Sequence, residues 1–173
     1  MLSRKLRFAI ACIPVLLMAA LPASAETDLR AVVVKHLQTS RDFTLKVADQ
    51  MPEAAYSFKL TPPQMSFAEQ MVHLSQSLAV FWSPFFSGNP EFAKPASLSK
   101  PDVIAFVKKS FDTAIERVSR LTPEQMTKSY QSNEGTMTGL ELLMGMLDHT
   151  THHRASAEMY LRAKGITPTE YEF

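Results

Sequence analysis

Residues 138–165, TGLELLMGMLDHTTHHRASAEMYLRAKG, read as one long helix that carries its own start and stop signals. Thr138-Gly139-Leu140-Glu141 is a capping box, in which a hydroxyl and a carboxylate satisfy free backbone N–H groups of the first turn. The helical pattern runs to about Lys164, where Gly165 can turn left-handed as a C-terminal cap and Pro168 prevents continuation. Leu140, Leu142, Leu143, Met144, Met146 and Leu147 make its first three turns apolar on most sides, which places this helix centrally in whatever it packs into.

The same signature recurs upstream. Ser66-Phe67-Ala68-Glu69 is a second capping box, and Ser99-Lys100-Pro101-Asp102 puts a proline and an acid into a first turn, where the unpaired N–H groups favour both. Another helix should run from about Asp28 to Gln50 and stop before Pro52. At about 100° per residue, each of these three has one apolar face. It comprises Val32, Val33, His36, Leu37, Phe43 and Val47 on the first, and Phe67, Met71, Leu74, Leu78, Trp82 and Phe85 on the second. On the third it comprises Val103, Ile104, Val107, Phe111, Ala114, Ile115 and Val118. The pattern predicts an all-α four-helix bundle with connections at 52–65, 87–98 and 121–137, the last holding an extra helical turn over 121–125.

The first 25 residues stand apart from that pattern. Arg4, Lys5 and Arg7 precede an apolar stretch over residues 8–21, and Ala23-Ser24-Ala25 supplies the small-residue site of a secretory signal peptide. The expectation is cleavage after Ala25, a domain spanning 26–173, and a periplasmic or secreted protein. At about 14 residues, broken by Pro14, the apolar stretch is shorter than the ~20 that span a bilayer, so no stable membrane span is expected after cleavage. Cys12, the single cysteine of the 173 residues, leaves with it, so disulfide and thiol chemistry are absent from the expected product. Loss of Arg4, Lys5 and Arg7 from 18 basic residues, against 17 acidic, moves the formal net charge from +1 to −2. No basic run survives, which excludes the electrostatic footprint of a nucleic-acid binder.

The chemistry lies in the histidines. His149 and His153 are four residues apart on the last helix, so they project about 40° apart and about 6 Å from each other, a spacing that lets two imidazoles grip one transition metal. The bland alternative is a polar helix edge. They share their sector with Leu142, Met146, Ala157 and Tyr160, so the pair should open toward the bundle interior, whereas His152 should point elsewhere. His73 lies at the margin of the second helix's apolar stripe beside Gln70 and Ser77, and reads either as a half-exposed histidine or as a ligand. His36 falls inside an apolar stripe and reads as a buried core histidine.

A histidine midway along the second helix, followed by a late helix bearing H-x-x-x-H-R, here Asp148-His149-Thr150-Thr151-His152-His153-Arg154, resembles the DinB-like family of four-helix metal-binding proteins. The resemblance extends to the 66–74 stretch SFAEQMVHL, the 137–143 stretch MTGLELL and the 164–168 exit KGITP. It implies an up-down-down-up bundle with the first and fourth helices as antiparallel neighbours, and metal ligands at His73, His149 and His153. The family commonly continues its last motif with Gly-Gln; Ala155 and Ser156 stand there instead, which leaves the ligands intact but removes an amide that the resemblance implies for positioning either the ligands' surroundings or the substrate. Family members that use small cytosolic thiols are poor guides to an exported protein.

Three neutral nitrogen donors leave a coordination position open, as in catalytic rather than closed structural sites. The implied cofactor is one divalent transition metal, with zinc, nickel, iron and manganese all compatible with imidazole. The implied function is a metal-dependent hydrolase or transferase acting on a small molecule, the alternative being a non-catalytic metal- or ligand-binding helical module. Glu69, Gln70, Ser77 and Tyr160 are candidates for acid–base roles or for orienting the ligands. The aromatic run over residues 81–86 (FWSPFF) presents rings on more than one face, which predicts a homodimer.

Overall fold

Asp28, Ser66, Ser99 and Thr138 each accept a hydrogen bond from the backbone N–H three residues on, and each starts a long helix of the computed structural model. The structure describes residues 28–86, 94–132 and 135–171; the expected signal peptide lies outside them. The helices are α1 (Leu29–Gln50), α2 (Phe67–Trp82), α3 (Lys100–Ser119), a short α4 (Pro123–Thr127) and α5 (Gly139–Ala163). The caps anticipated from sequence are all present, with full capping boxes at Ser66 and Thr138. Gly165 ends α5 at φ +74°, the left-handed conformation that glycine adopts without a Cβ penalty.

The third connection holds more than the expected extra turn. After α4, strands β1 (Ser129–Ser132) and β2 (Gly135–Thr138) pair antiparallel, with Ser129 opposite Thr138 and Ser132 opposite Gly135. Each four-residue strand offers a single apolar residue, Tyr130 opposite Met137, too few to show alternation, so the hairpin left no trace in the hydrophobic pattern.

Side-chain pairings fix how the helices run. Arg41 bridges to Asp112 and Lys100 to Asp49, so α1 and α3 are antiparallel. Arg117 stacks over Trp82, which aligns the C-terminal ends of α2 and α3. Ser40 meets Arg154, and Gln50 meets Thr167 beyond the end of α5, so α1 and α5 run in the same direction. The bundle is up-down-down-up, and that order itself makes its first and last long helices parallel; the expected antiparallel arrangement of these neighbours is corrected.

The core is built mainly from the predicted stripes, with Leu161 added near the end of α5, while Trp82, Ile104 and Ile115 of those stripes are only half-buried. Leu37, Phe43 and Val47 from α1, Met71, Leu74 and Leu78 from α2, Val107, Phe111 and Val118 from α3, and Leu143, Met146 and Leu161 from α5 are at most 1% exposed. Burial of each such side chain is worth about 1.5–3 kcal/mol. Two expectations fail on α1: Val32 is 42% exposed and His36 is only half-buried. Both border a cavity left between α1 and α5, where the opposing Met144 is itself 49% exposed. Helical phase puts these residues on the inner side, but the helices do not close over them there.

Candidate metal centre

His73 sits on the second turn of α2, its phase set by the cap in which Glu69 Oε2 accepts from Ser66 N at 2.6 Å and Ser66 Oγ from Glu69 N at 3.2 Å. His149 and His153 project from one side of α5, one turn apart. Because α2 lies antiparallel against α5, the three rings meet: centroids are 5.5 Å apart for His73 and His149, 4.5 Å for His73 and His153, and 4.5 Å for His149 and His153. One ring nitrogen from each lies within 4.8 Å of the other two. Tetrahedral donors on bonds of about 2.1 Å stand roughly 3.4 Å apart, so closing the triad on a metal takes side-chain movements on the order of 1 Å.

The donor chemistry fits. His149 Nε2 and His153 Nδ1 are buried without a hydrogen-bond partner among the described residues. An unpaired buried polar atom costs about 1–3 kcal/mol, a penalty that coordination removes. Burial lowers the His153 pKa to about 4, with smaller contributions from His149, His73 and His152, and it also holds His149 below its ordinary value. At neutral pH both are therefore uncharged and offer lone pairs rather than protons. Exposure rises from buried His153 through half-buried His149 to exposed His73, so the triad opens to solvent on the His73 side.

An aromatic wall stands beside it. The Phe81 ring centroid is 5.7 Å from that of His149, and a Cβ on Gly145 would come within 2.9 Å of Phe81 Cε1. Gly145 thus lets α2 approach α5 one turn before the first histidine of the pair. Gly145 was not singled out from sequence, and Phe81 was read there only as part of the aromatic run over residues 81–86, although His73, Ser77 and Phe81 follow one another at four-residue steps. A glycine inside a helix, at a cost of ~1 kcal/mol, also signals a packing reason.

The other sequence candidates are distributed unevenly. Gln70 is buried one turn before His73, and its Oε1 has no hydrogen-bond partner among the described residues. Ser77 donates its hydroxyl to Leu74 O at 2.7 Å on its own helix. Tyr160 donates to Met65 O at 2.6 Å and packs against Phe58 and Phe67. Glu69 is committed to the Ser66 cap, which lowers its pKa, and sits 3.7 Å from Lys59 Nζ. His152 is exposed and outside the cluster, and His36 faces the cavity between α1 and α5. The structure therefore gathers the three histidines, with buried Gln70 one turn away on α2, and gives Ser77 and Tyr160 backbone partners.

A model of the DinB superfamily matches residues 36–157, which include all three histidines. The chain belongs to the DinB superfamily. It is 24% identical over 139 residues to the uncharacterized protein YjoA of Bacillus subtilis (strain 168), covering 78% of this chain and 90% of YjoA. Among solved structures it resembles a DinB-like protein from Bacillus cereus ATCC 10987, with TM-score 0.70, 19% identity, and 81% and 95% of the two chains covered. The crystal structure of YjoA itself matches with TM-score 0.67 at 22% identity, over 81% of this chain and 96% of that one. At these identities the structural likeness establishes the superfamily's helical bundle and nothing finer.

Proposed function

We propose that this DinB-superfamily chain is an exported metal-binding protein in which His73, His149 and His153 hold one divalent transition metal, zinc, nickel, iron or manganese, for hydrolysis or group transfer on a small molecule. The observation that supports it is the convergence of three imidazoles from two helices, two of them with ring nitrogens buried and unpaired. When bound, such a metal polarises a substrate oxygen or lowers the pKa of bound water. His149 and His153, kept neutral by burial, present lone pairs at physiological pH. Among the described residues the cluster has three members, which leaves a coordination position open, and exposed His73 leaves an approach from solvent. Phe81 sets apolar surface beside His149, and the buried Gln70 carbonyl is an unpaired acceptor one turn from His73 among the described residues.

The second reading, a non-catalytic metal- or ligand-binding module, is favoured by a specific feature: Glu69, Ser77 and Tyr160 all spend their polar atoms on the fold. Elemental analysis of protein purified without a histidine tag, then a screen of ester, amide and phosphate substrates, separates the two. Stoichiometric metal with turnover supports the enzyme, metal without turnover the module, and absence of metal after reconstitution overturns the enzyme and the metal-binding form of the module. Export is supported by the charged start, the apolar run and the Ala23-Ser24-Ala25 site. A homodimer is supported by Trp82 and Phe86, aromatic side chains left half-exposed. Light scattering that returns a monomer mass at tens of micromolar refutes the dimer. Among the described residues no helix is long and apolar enough to cross a membrane.

A further inference from the structure

While one face of α5 turns its histidines to α2, the roughly opposite face borders a cavity of about 380 Å³ against α1, at the small end of ligand-site volumes. At one end of it lies Arg154. The side chain is 4% exposed, yet its bonds among the described residues go only to neutral hydroxyls, Nη1 to Ser40 Oγ at 2.8 Å and Nη2 to Thr151 Oγ1 at 3.5 Å. Its Cζ stands 4.4 Å over the Phe43 ring. A guanidinium carries five N–H donors. Burial works against the Arg154 charge, and Glu158, one turn on along α5, and Tyr171 act in its favour only through space, without a hydrogen bond among the described residues to spend those donors. Tyr171 holds the same end of the cavity: its ring meets Phe43 edge-on at 5.9 Å, and Gln50 clamps the preceding tail through Thr167 and Thr169.

The rest of the wall is mixed: Val32, Val33, Met144 and Leu147 are apolar, and His36 and Thr39 add polar groups. Asp148 also borders the cavity, on its exposed side, about 9 Å along α5 from Arg154 at 1.5 Å per residue. Its carboxylate disfavours a second negative group on the ligand. We propose that this cavity is a separate binding site for a small monocarboxylate with an apolar tail. The carboxylate pairs with the free N–H donors of Arg154, the Ser40 and Thr151 hydroxyls stand beside it, and the tail lies between Val33 and Leu147. The site does not depend on the histidine cluster.

The test is a titration of the chelator-treated protein with hexanoate, followed by amide chemical shifts, with hexanol and hexylamine as uncharged and cationic controls. The expected result is saturable binding, shifts concentrated on α1 and α5 around Ser40 and Thr151, and affinity for both controls weaker by roughly tenfold or more, the usual effect of losing a charge-assisted pair. Arg154→Lys should lose a similar factor because a point charge cannot make the fork. Val32→Trp, at a position 42% exposed on the cavity's edge, fills the space without touching the core and should abolish binding while the melting temperature holds. His149→Ala should bind hexanoate as the parent does. Equal affinity for hexanoate and hexanol, binding that survives Val32→Trp, or binding lost in His149→Ala overturns the proposal.

Discussion

His73→Ala removes the one exposed member of the triad and therefore separates metal binding from folding. Alanine is the best helix former, and an exposed substitution away from special features shifts stability by no more than about 0.5 kcal/mol. Structural zinc sites gain roughly 10–16 kcal/mol from four ligands, so one ligand out of three is worth about 3 kcal/mol, or on the order of a hundredfold in affinity. At a free metal concentration a hundred times the parent Kd, the parent is stabilised by about 2.7 kcal/mol and the variant by only about 0.4 kcal/mol. For a chain of this size that separates a melting-temperature rise of roughly 5–10 °C from one of about 1–2 °C. Competition with a chromophoric chelator measures the affinity, calorimetry with and without metal measures the shift, and His152→Ala, exposed on the same helix as two of the ligands, serves as the unchanged control. A variant that keeps the parent's affinity, or its full metal-dependent shift, refutes the three-histidine site.

Ser66→Ala removes the hydroxyl that caps α2 and should cost about 1 kcal/mol, read as a lower urea midpoint at constant slope. Tyr56 is buried, donates to Ala48 O at 2.7 Å, and has its pKa raised chiefly by burial, so the folded state holds its proton after the unfolded chain has lost it. Its contribution is complete below pH 10 and is lost as pH climbs toward the raised value; Tyr56→Phe should lower stability at pH 8 by about 1 kcal/mol and reduce the decline between pH 10 and 11, and an unchanged alkaline decline contradicts the assignment. Intact-mass measurement of exported protein should give a chain beginning at Glu26; a product that retains residues 1–25 would be tethered instead.

Helix ends were readable because their signals are local. Each cap joins residues three positions apart, as Ser66 joins Glu69 and Thr138 joins Glu141, so the information fits within one turn. The spacing of His149 and His153 is likewise a property of a single helix, and their common face survives any packing. What a helix presents is less secure than where it starts. Val32 and His36 have the phase of core residues, but burial requires an opposing surface, and beside them α1 and α5 leave a cavity.

The amino-acid sequence by itself determined the helices, their apolar faces and the two-histidine edge of α5, since hydrogen bonds between near neighbours and the 3.6-residue period act within short stretches of chain. The resemblance to other DinB-like sequences pointed to His73 as the third member. Only the tertiary structure decided that His73 meets the pair, because that depends on how far α2 slides along α5, a register in which Phe81 seats against Gly145. It likewise decided that α1 and α5 run parallel, that Tyr160 bonds the Met65 carbonyl, and that Arg154 is buried against Ser40 and Phe43 on α1. Those contacts join residues as many as 114 positions apart, and their partners are chosen by packing rather than by anything written in the neighbouring sequence.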